Sequence, residues 1–248
     1  MSGHSKWSTI KRQKGAADAK RGQLFTKLGR EIAVAAREGA DPTANHRLRL
    51  AVQRARESNM PLDTIERAIK RGAGLEEGTN YQEVTYEGYG PNGVAVLVRA
   101  LTDNRNRAAA EIRSVFTRNG GNLGESGSVR WLFEEKGIVV AEAGGADSDE
   151  VALVAIDAGA DDVQVDDGVI EVYTQPEAVE SVREALESAG VRVTSSEATL
   201  AANVSVHLEE SAAAQTLRLI ERLEELDDVQ QVYSNAEISD EVATALAG

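Results

Sequence analysis

The sequence predicts an α+β protein: a small N-terminal three-helix domain followed by two α/β plaits, one inserted into the other. Three observations lead there. Apolar residues recur at helical spacing up to residue 72 and change to strand-like alternation beyond residue 81. The stretch 138–196 holds a complete βαββαβ order, the pattern of a ferredoxin-like plait. The fragments on either side are each incomplete, one with strands and a single helix, the other with a helix that lacks a sheet.

Residues 1–20 are polar and basic, with Trp7 and Ile10 as the large apolar groups. They bury little surface and are expected to form a basic flexible arm. The helical domain, 21–75, follows. Leu24, Phe25, Leu28, Ile32 and Ala35 mark a helix over 22–38, stopped at Gly39. Leu48, Val52 and Ala55 mark a second over 45–58, and Leu62, Ile65 and Ile69 a third that ends at Gly72. Gly72–Asn80 reads as a linker. Strands are expected at 82–87 and 94–101, joined by the turn Gly90-Pro91-Asn92-Gly93. A helix over 105–118, a glycine-rich loop Gly120–Gly127 and a strand at Ser128–Phe133 complete that fragment.

The inserted unit, 136–198, begins with a strand at Ile138–Ala141 and a helix at 148–158. Strands 162–166 and 169–173 meet at Asp167-Gly168, a hairpin signal. A helix from Pro176 to Ser188 and a strand at 191–195 close the unit. The rest of the chain offers a strand (203–208), a helix (211–226) and a strand (229–234). An amphipathic helix must bury its apolar stripe somewhere. The economical arrangement joins 81–134 with 200–248 into one discontinuous domain.

Net charge, −14, conceals a strong asymmetry. Residues 1–75 carry 16 Lys and Arg against 7 Asp and Glu, and residues 76–248 carry 11 against 34. A basic head on an acidic body predicts a nucleic-acid-facing module, because clustered cations release the counterions condensed on phosphates. A solvated basic helix face and a transit peptide are the alternatives. The absence of cysteine excludes disulfides, thiol catalysis and cysteine-ligated metal. No apolar run reaches the roughly 18 residues of a membrane helix, and the N-terminus lacks a secretory h-region. A cytoplasmic protein with no membrane partner is expected.

Several strings together resemble the YebC/PmpR family. They are Gly3-His4-Ser5-Lys6-Trp7, Asp18-Ala19-Lys20-Arg21-Gly22, Phe25-Thr26-Lys27-Leu28, Asn59-Met60-Pro61 with Ile65-Glu66-Arg67-Ala68-Ile69-Lys70, and Gly120-Gly121-Asn122-Leu123-Gly124. Asp227-Asp228-Val229-Gln230 and Val232-Tyr233-Ser234-Asn235 add to them. His46 stands where the family usually has proline, and Gln231 and Ala236 replace a common asparagine and phenylalanine. The resemblance spans essentially the whole chain. It implies a three-domain α+β protein with no catalytic site. Bacterial members are usually described as DNA-binding transcriptional regulators. Others look like translation factors: a mitochondrial relative activates translation, and bacterial relatives act at the ribosome on proline-rich stretches.

Lys6, Lys11, Arg12, Lys14, Lys20 and Arg21 are the candidate phosphate contacts. Trp7 among them either stacks on a base or anchors the arm. Lys27 and Arg30 either extend the track or are solvated. Arg105, Arg107, Arg113 and Arg118 make the helix over 105–118 locally basic, and Arg107 is expected to pair with Glu111 at i, i+4. Gly88-Tyr89-Gly90-Pro91-Asn92-Gly93 fits the letters of a dinucleotide fingerprint, but a strand follows where a helix is required. The loop Gly120–Gly127 either approaches a phosphate backbone or is plain turn geometry.

His4, His46 and His207 show no metal-ligand spacing, and no cofactor or metal is expected. No nucleotide-hydrolase or hydrolase motif supports an enzyme. Two functions of different class remain. One is a nucleic-acid-binding regulator of gene expression, on DNA or, as a ribosome-associated factor, on ribosomal RNA. The other is a regulatory module binding a protein or small molecule. For the second, the acidic 136–248 region, with 5 Lys and Arg against 25 Asp and Glu, would dock a basic surface or simply confer solubility.

Overall fold

A computed structural model describes residues 18–142, 144, 147–166, 168–239 and 242. The first unit is helical: α1 (Asp18–Ala35), α2 (His46–Glu57) and α3 (Leu62–Gly72). Leu28, Ile32, Leu48, Ala55 and Ile65 of the predicted stripes form its core together with Met60, whereas Leu24 and Leu62 of the same stripes are exposed. A short 3₁₀ turn, Ala36–Glu38, ends the first helical run at Gly39. Asn45 explains the sharp return. Its Oδ1 accepts from Leu48 N as the α2 N-cap, while its Nδ2 donates to the carbonyls of Ala35 and Gly39. Gly72 permits the close crossing of α3 over α1, since a Cβ there would lie 2.1 Å from the carbonyl oxygen of Ala33.

A four-stranded antiparallel sheet follows, ordered β3-β1-β2-β9. It comprises β1 (Gln82–Tyr89), β2 (Ala95–Thr102), β3 (Asn122–Leu123) and, from far along the chain, β9 (Val229–Ser234). Helices α4 (Arg105–Arg118) and α7 (Glu210–Glu224) contribute Ile112, Phe116, Leu219, Ile220 and Leu223 to the cluster around Val96 and Val98 of β2. The opposite face, Ala95 and Leu97 with Tyr233 of β9 beside them, is covered by Val129, Leu132 and Phe133. Burial on both faces is why β2 reads as a continuous apolar run.

The second sheet, ordered β5-β6-β4-β7, is also antiparallel. Its strands are β4 (Phe133–Glu142), β5 (Ala160–Asp166), β6 (Val169–Thr174) and β7 (Arg192–Ala202). Helices α5 (Ser148–Asp157) and α6 (Val179–Ser188) pack Val151, Ala155, Val182 and Leu186 onto Val139, Ala141, Ile170 and Val172. The element order is βαββαβ, and this plait lies in the chain between β3 and the later segment whose strand β9 returns to the first sheet. The fold is α+β, as expected, with one plait inserted into the other.

Beyond β4 and β7, which run longer than expected (from Phe133 and to Ala202, against 138–141 and 191–195), two segments differ in kind or partner. The segment 128–133 is not a strand: Arg130–Leu132 is a 3₁₀ turn and β4 starts at Phe133. The carboxylate of Glu87 accepts from the backbone N–H groups of Gly127, Val129 and Arg130 at 2.7–2.8 Å, which holds this stretch in a turn. The segment 203–208 shortens to β8 (Val206–Leu208), and it pairs in parallel with β10 (Ala236–Ile238) outside the main sheets. Asn235 causes the break between β9 and β10. Its Oδ1 accepts from Ala95 N and its Nδ2 donates to the carbonyl of Val204.

Candidate nucleic-acid interface

The arm residues Lys6, Trp7, Lys11, Arg12 and Lys14 lie outside the described residues, as does His4. Lys20 sits in the first turn of α1, and Arg21 is exposed beside it.

Further along α1 the structure turns the basic face inward. Gln23, Lys27 and Arg30 recur at helical spacing, and all three donate to the segment 224–228 at the end of α7. Gln23 Nε2 donates to the carbonyl of Glu225. Lys27 Nζ donates to the carbonyl of Glu224 at 2.5 Å, a cation at the negative end of a helix. Arg30 Nη1 donates to Asp228 Oδ1 and to the Asp227 carbonyl, both at 2.6 Å. Its guanidinium also lies over the Tyr81 ring, 5.2 Å from the centroid. A phosphate at Arg30 would have to displace Asp228. Neither expectation for Lys27 and Arg30, a phosphate track or plain solvation, describes these contacts.

Asp228 is the centre of this junction and is 4% exposed. Besides Arg30 it accepts from Arg107 Nη2 (2.9 Å) and Thr102 Oγ1 (2.8 Å), on its second oxygen. Burial pushes its carboxyl pKa up, but Arg107, Thr102 and Arg30 outweigh burial and hold it below the ordinary carboxylate value. Arg107 therefore pairs with Asp228 and Asp103, not with the expected Glu111. The i, i+4 spacing to Glu111 is satisfied in sequence, but the buried carboxylate is the stronger partner.

Besides Arg21, the exposed cations of the helical unit lie on α2, α3 and the turn before them, and Arg105, Arg113 and Arg118 are exposed on α4. Arg37, Arg56, Lys70 and Arg71 are exposed, with no carboxylate partner among the described residues. Arg47 and Arg54 are engaged, Arg47 with Glu83 on β1 at 2.8 Å and Arg54 with Glu31 at 2.9 Å. Glu83 also binds Arg99 at 2.6 Å. A cleft of about 330 Å³ between the helical unit and the first sheet is lined by these same ion pairs, so its arginines are already engaged with Glu31 and Glu83.

A larger groove, about 620 Å³, runs between α1 and α3 and is closed on one side by residues 77–81. Phe25, Gly29, Ala33, Met60 and Ala68 line its apolar part, and Arg67 and Arg71 stand at its edge. Periodicity assigned Phe25 to the apolar stripe of the first helix and so did not reveal this groove.

The loop Gly120–Gly127 is not a free phosphate cradle. Its last amide, Gly127, is taken by Glu87, together with those of Val129 and Arg130 just beyond it, and the amide of Gly124 donates to the Glu87 carbonyl. Burial raises the Glu87 carboxyl pKa, and these three donors bring it below the ordinary value. Gly121 is there for packing: a Cβ would lie 2.7 Å from the Tyr89 carbonyl oxygen. In the Gly88–Gly93 string, Gly90 likewise faces Leu219 at 2.9 Å, and a strand follows. Trp131, 68% exposed, was missed by motif reading. Its indole N–H and the Tyr89 hydroxyl both donate to the Ser128 carbonyl. Among the described residues no cluster of ligand-type side chains suits a metal, and no helix is long and apolar enough to cross a membrane.

Two family patterns match this chain. The N-terminal domain of TACO1/YebC proteins matches residues 5–75, and their second and third domain matches residues 81–236. A probable transcriptional regulatory protein of Dehalococcoides mccartyi is 55% identical over 243 residues, covering 98% of this chain and 97% of its own. One from Rubrobacter xylanophilus is 55% identical over the full length of both. The crystal structure of a conserved hypothetical protein from Aquifex aeolicus superposes with a TM-score of 0.78 at 49% identity, covering 90% of this chain and 93% of that one.

Proposed function

The chain belongs to the TACO1/YebC family, and from that premise we propose that it is a nucleic-acid-binding regulator of gene expression. The carrying observation is the way charge is mounted. The basic 1–75 segment, net +9, is fixed to an acidic remainder, net −23, through the inward stripe Gln23, Lys27 and Arg30. That attachment leaves Arg37, Arg56, Lys70 and Arg71 facing outward. The arm cations Lys6, Lys11, Arg12, Lys14, Lys20 and Arg21 extend the same basic module along the chain. Acidic bulk on the other side repels phosphate and orients the head toward it. The names of the curated relatives, as probable transcriptional regulatory proteins, agree with this reading.

Recognition is of backbone and shape. Outward cations on α2 and α3 supply salt-sensitive affinity with little base readout. The test is an anisotropy titration of labelled nucleic acid with the full chain at rising salt. Affinity that falls steeply with salt supports the proposal. Absence of binding at low salt removes it.

A further inference from the structure

A glycine stands inside α1 where packing does not require one. Gly29 lies well within the helix, and a Cβ built on it would meet nothing closer than Met60 Cε, at 3.8 Å. Glycine is a poor helix former. Gly72 makes the contrast: there the neighbouring backbone leaves no room for a side chain. At Gly29 the missing side chain keeps open the floor of the 620 Å³ groove between α1 and α3.

That groove has three further properties. Its volume lies within the roughly 300–1,000 Å³ of small-ligand sites. Its inner surface is apolar and aromatic, with half-buried Phe25 and Tyr81 beside Met60, Ala33 and Ala68. Its edge is cationic: Arg71 is exposed there with no carboxylate partner among the described residues, and exposed Arg67 stands beside it in a solvent-facing pair with Asp63 at 3.3 Å, with Glu77 as the carboxylate of the lining. Arg30 shares the wall, and its Nε is buried without a hydrogen-bond acceptor. An apolar slot beside cations suits a base that has left its stack, with its phosphate at the edge. A duplex keeps its bases stacked and would reach the edge only.

We infer that this groove binds an unstacked nucleotide of a single-stranded nucleic acid, with the base over Gly29 against Phe25 and Met60 and the phosphate at Arg67 and Arg71. The inference rests on the nucleic-acid reading above and narrows it to single strands.

The experiment compares a short fluorescein-labelled single strand of mixed sequence with the same strand annealed to its complement, using the full chain. Two variants are titrated beside the wild type. Gly29→Leu fills the floor without changing charge, and Arg71→Glu reverses one edge charge. The wild type is expected to prefer the single strand. Gly29→Leu is expected to weaken single-strand binding about tenfold, the scale of one lost stacking contact, with duplex binding unchanged. Arg71→Glu, on the exposed edge, is expected to weaken single-strand binding comparably and decides the matter if Gly29→Leu does not fold by circular dichroism. Wild-type binding of the single strand that neither variant alters overturns the groove assignment and leaves the nucleic-acid reading standing, as does a wild-type preference for duplex. Failure of the wild type to bind either probe overturns the nucleic-acid reading itself.

Discussion

Arg30 Nη1 lies 2.6 Å from Oδ1 of Asp228, a residue 198 positions away in sequence. The two side chains are 14% and 6% exposed. This pair joins the helical unit to the first sheet, and it does so at the end of the chain's last long helix. The orientation of the basic head is thus set by residues more than two-thirds of the sequence away, reinforced by Gln23 and Lys27 on the same face of α1.

Removing Asp228 takes the shared carboxylate from both Arg30 and Arg107, whereas removing Arg30 leaves Asp228 buried with Arg107 and Thr102 still on it. Asp228→Ala is expected to lower stability by about 3–5 kcal/mol and Arg30→Ala by less, about 1–3 kcal/mol. Chemical denaturation followed by circular dichroism measures the loss. Hydrogen exchange should localise the loosening of Arg30→Ala to α1 and to 224–228. Loss below about 1 kcal/mol in both variants would show that the pair does not hold the junction.

Asp228 and Glu87 both have pKa values below the ordinary carboxylate value. Their folded-state depression gives stability that is fully present above the unfolded values, about pH 4, and is lost as pH falls through the folded values. The denaturation midpoint should therefore change little on this account between neutrality and about pH 5, and fall below about pH 4. Asp228→Asn and Glu87→Gln should each flatten that fall. An unchanged acid profile in both variants would rule these carboxylates out as its source.

Glu87 holds the turn before β4 through three backbone N–H groups. Glu87→Ala strands those donors, Val129 N in a buried position, and should cost about 3 kcal/mol. Trp131 reports on it locally, because its indole is anchored to Ser128 within the same stretch. In a Trp7→Phe background, which leaves Trp131 as the sole tryptophan, Glu87→Ala should lower the steady-state fluorescence anisotropy. Unaltered anisotropy would mean the loop is held by other contacts.

Gly29 and Gly72 should respond oppositely to alanine. Gly72→Ala places a Cβ 2.1 Å from the Ala33 carbonyl oxygen and should destabilise by about 1–3 kcal/mol. Gly29→Ala has room and should stabilise by somewhat under about 1 kcal/mol. Thermal melts of the two variants give the comparison, and equal shifts of the same sign would contradict it.

Much of the architecture was legible in the sequence because each element signals itself locally. The helical stripes of residues 28, 32, 48, 55 and 65 became the first core, and the Gly168 turn joined the expected strands. The discontinuous sheet followed from an unpartnered helix, since the stripe at Leu219, Ile220 and Leu223 needs a surface to cover. What local patterns could not carry were long-range polar contacts. The spacing of Arg107 to Glu111 is visible, whereas the competing Asp228 is 121 residues away. The apolar segment 128–133 alternates plausibly as a strand, but Glu87 bends it. Lys27 and Arg30 read as surface cations because helical spacing says which residues share a face, not what covers that face. The motif Asp227-Asp228 was the available hint, as two carboxyl groups directly after a helix are unusual company for the apolar strand that follows.

The central claim is that the basic head carries nucleic-acid binding. It is tested most directly by the salt dependence of single-strand affinity for the full chain and for a variant with Lys6, Lys11, Arg12 and Lys14 changed to alanine. Each lost phosphate contact lowers the log–log slope by about 0.7 on a single strand. The account predicts a steep slope for the full chain and one shallower by roughly 3 for the variant if all four cations make contact. Equal slopes with equal affinities would take the arm out of the contact surface, and a full-chain affinity that does not change with salt would contradict the claim.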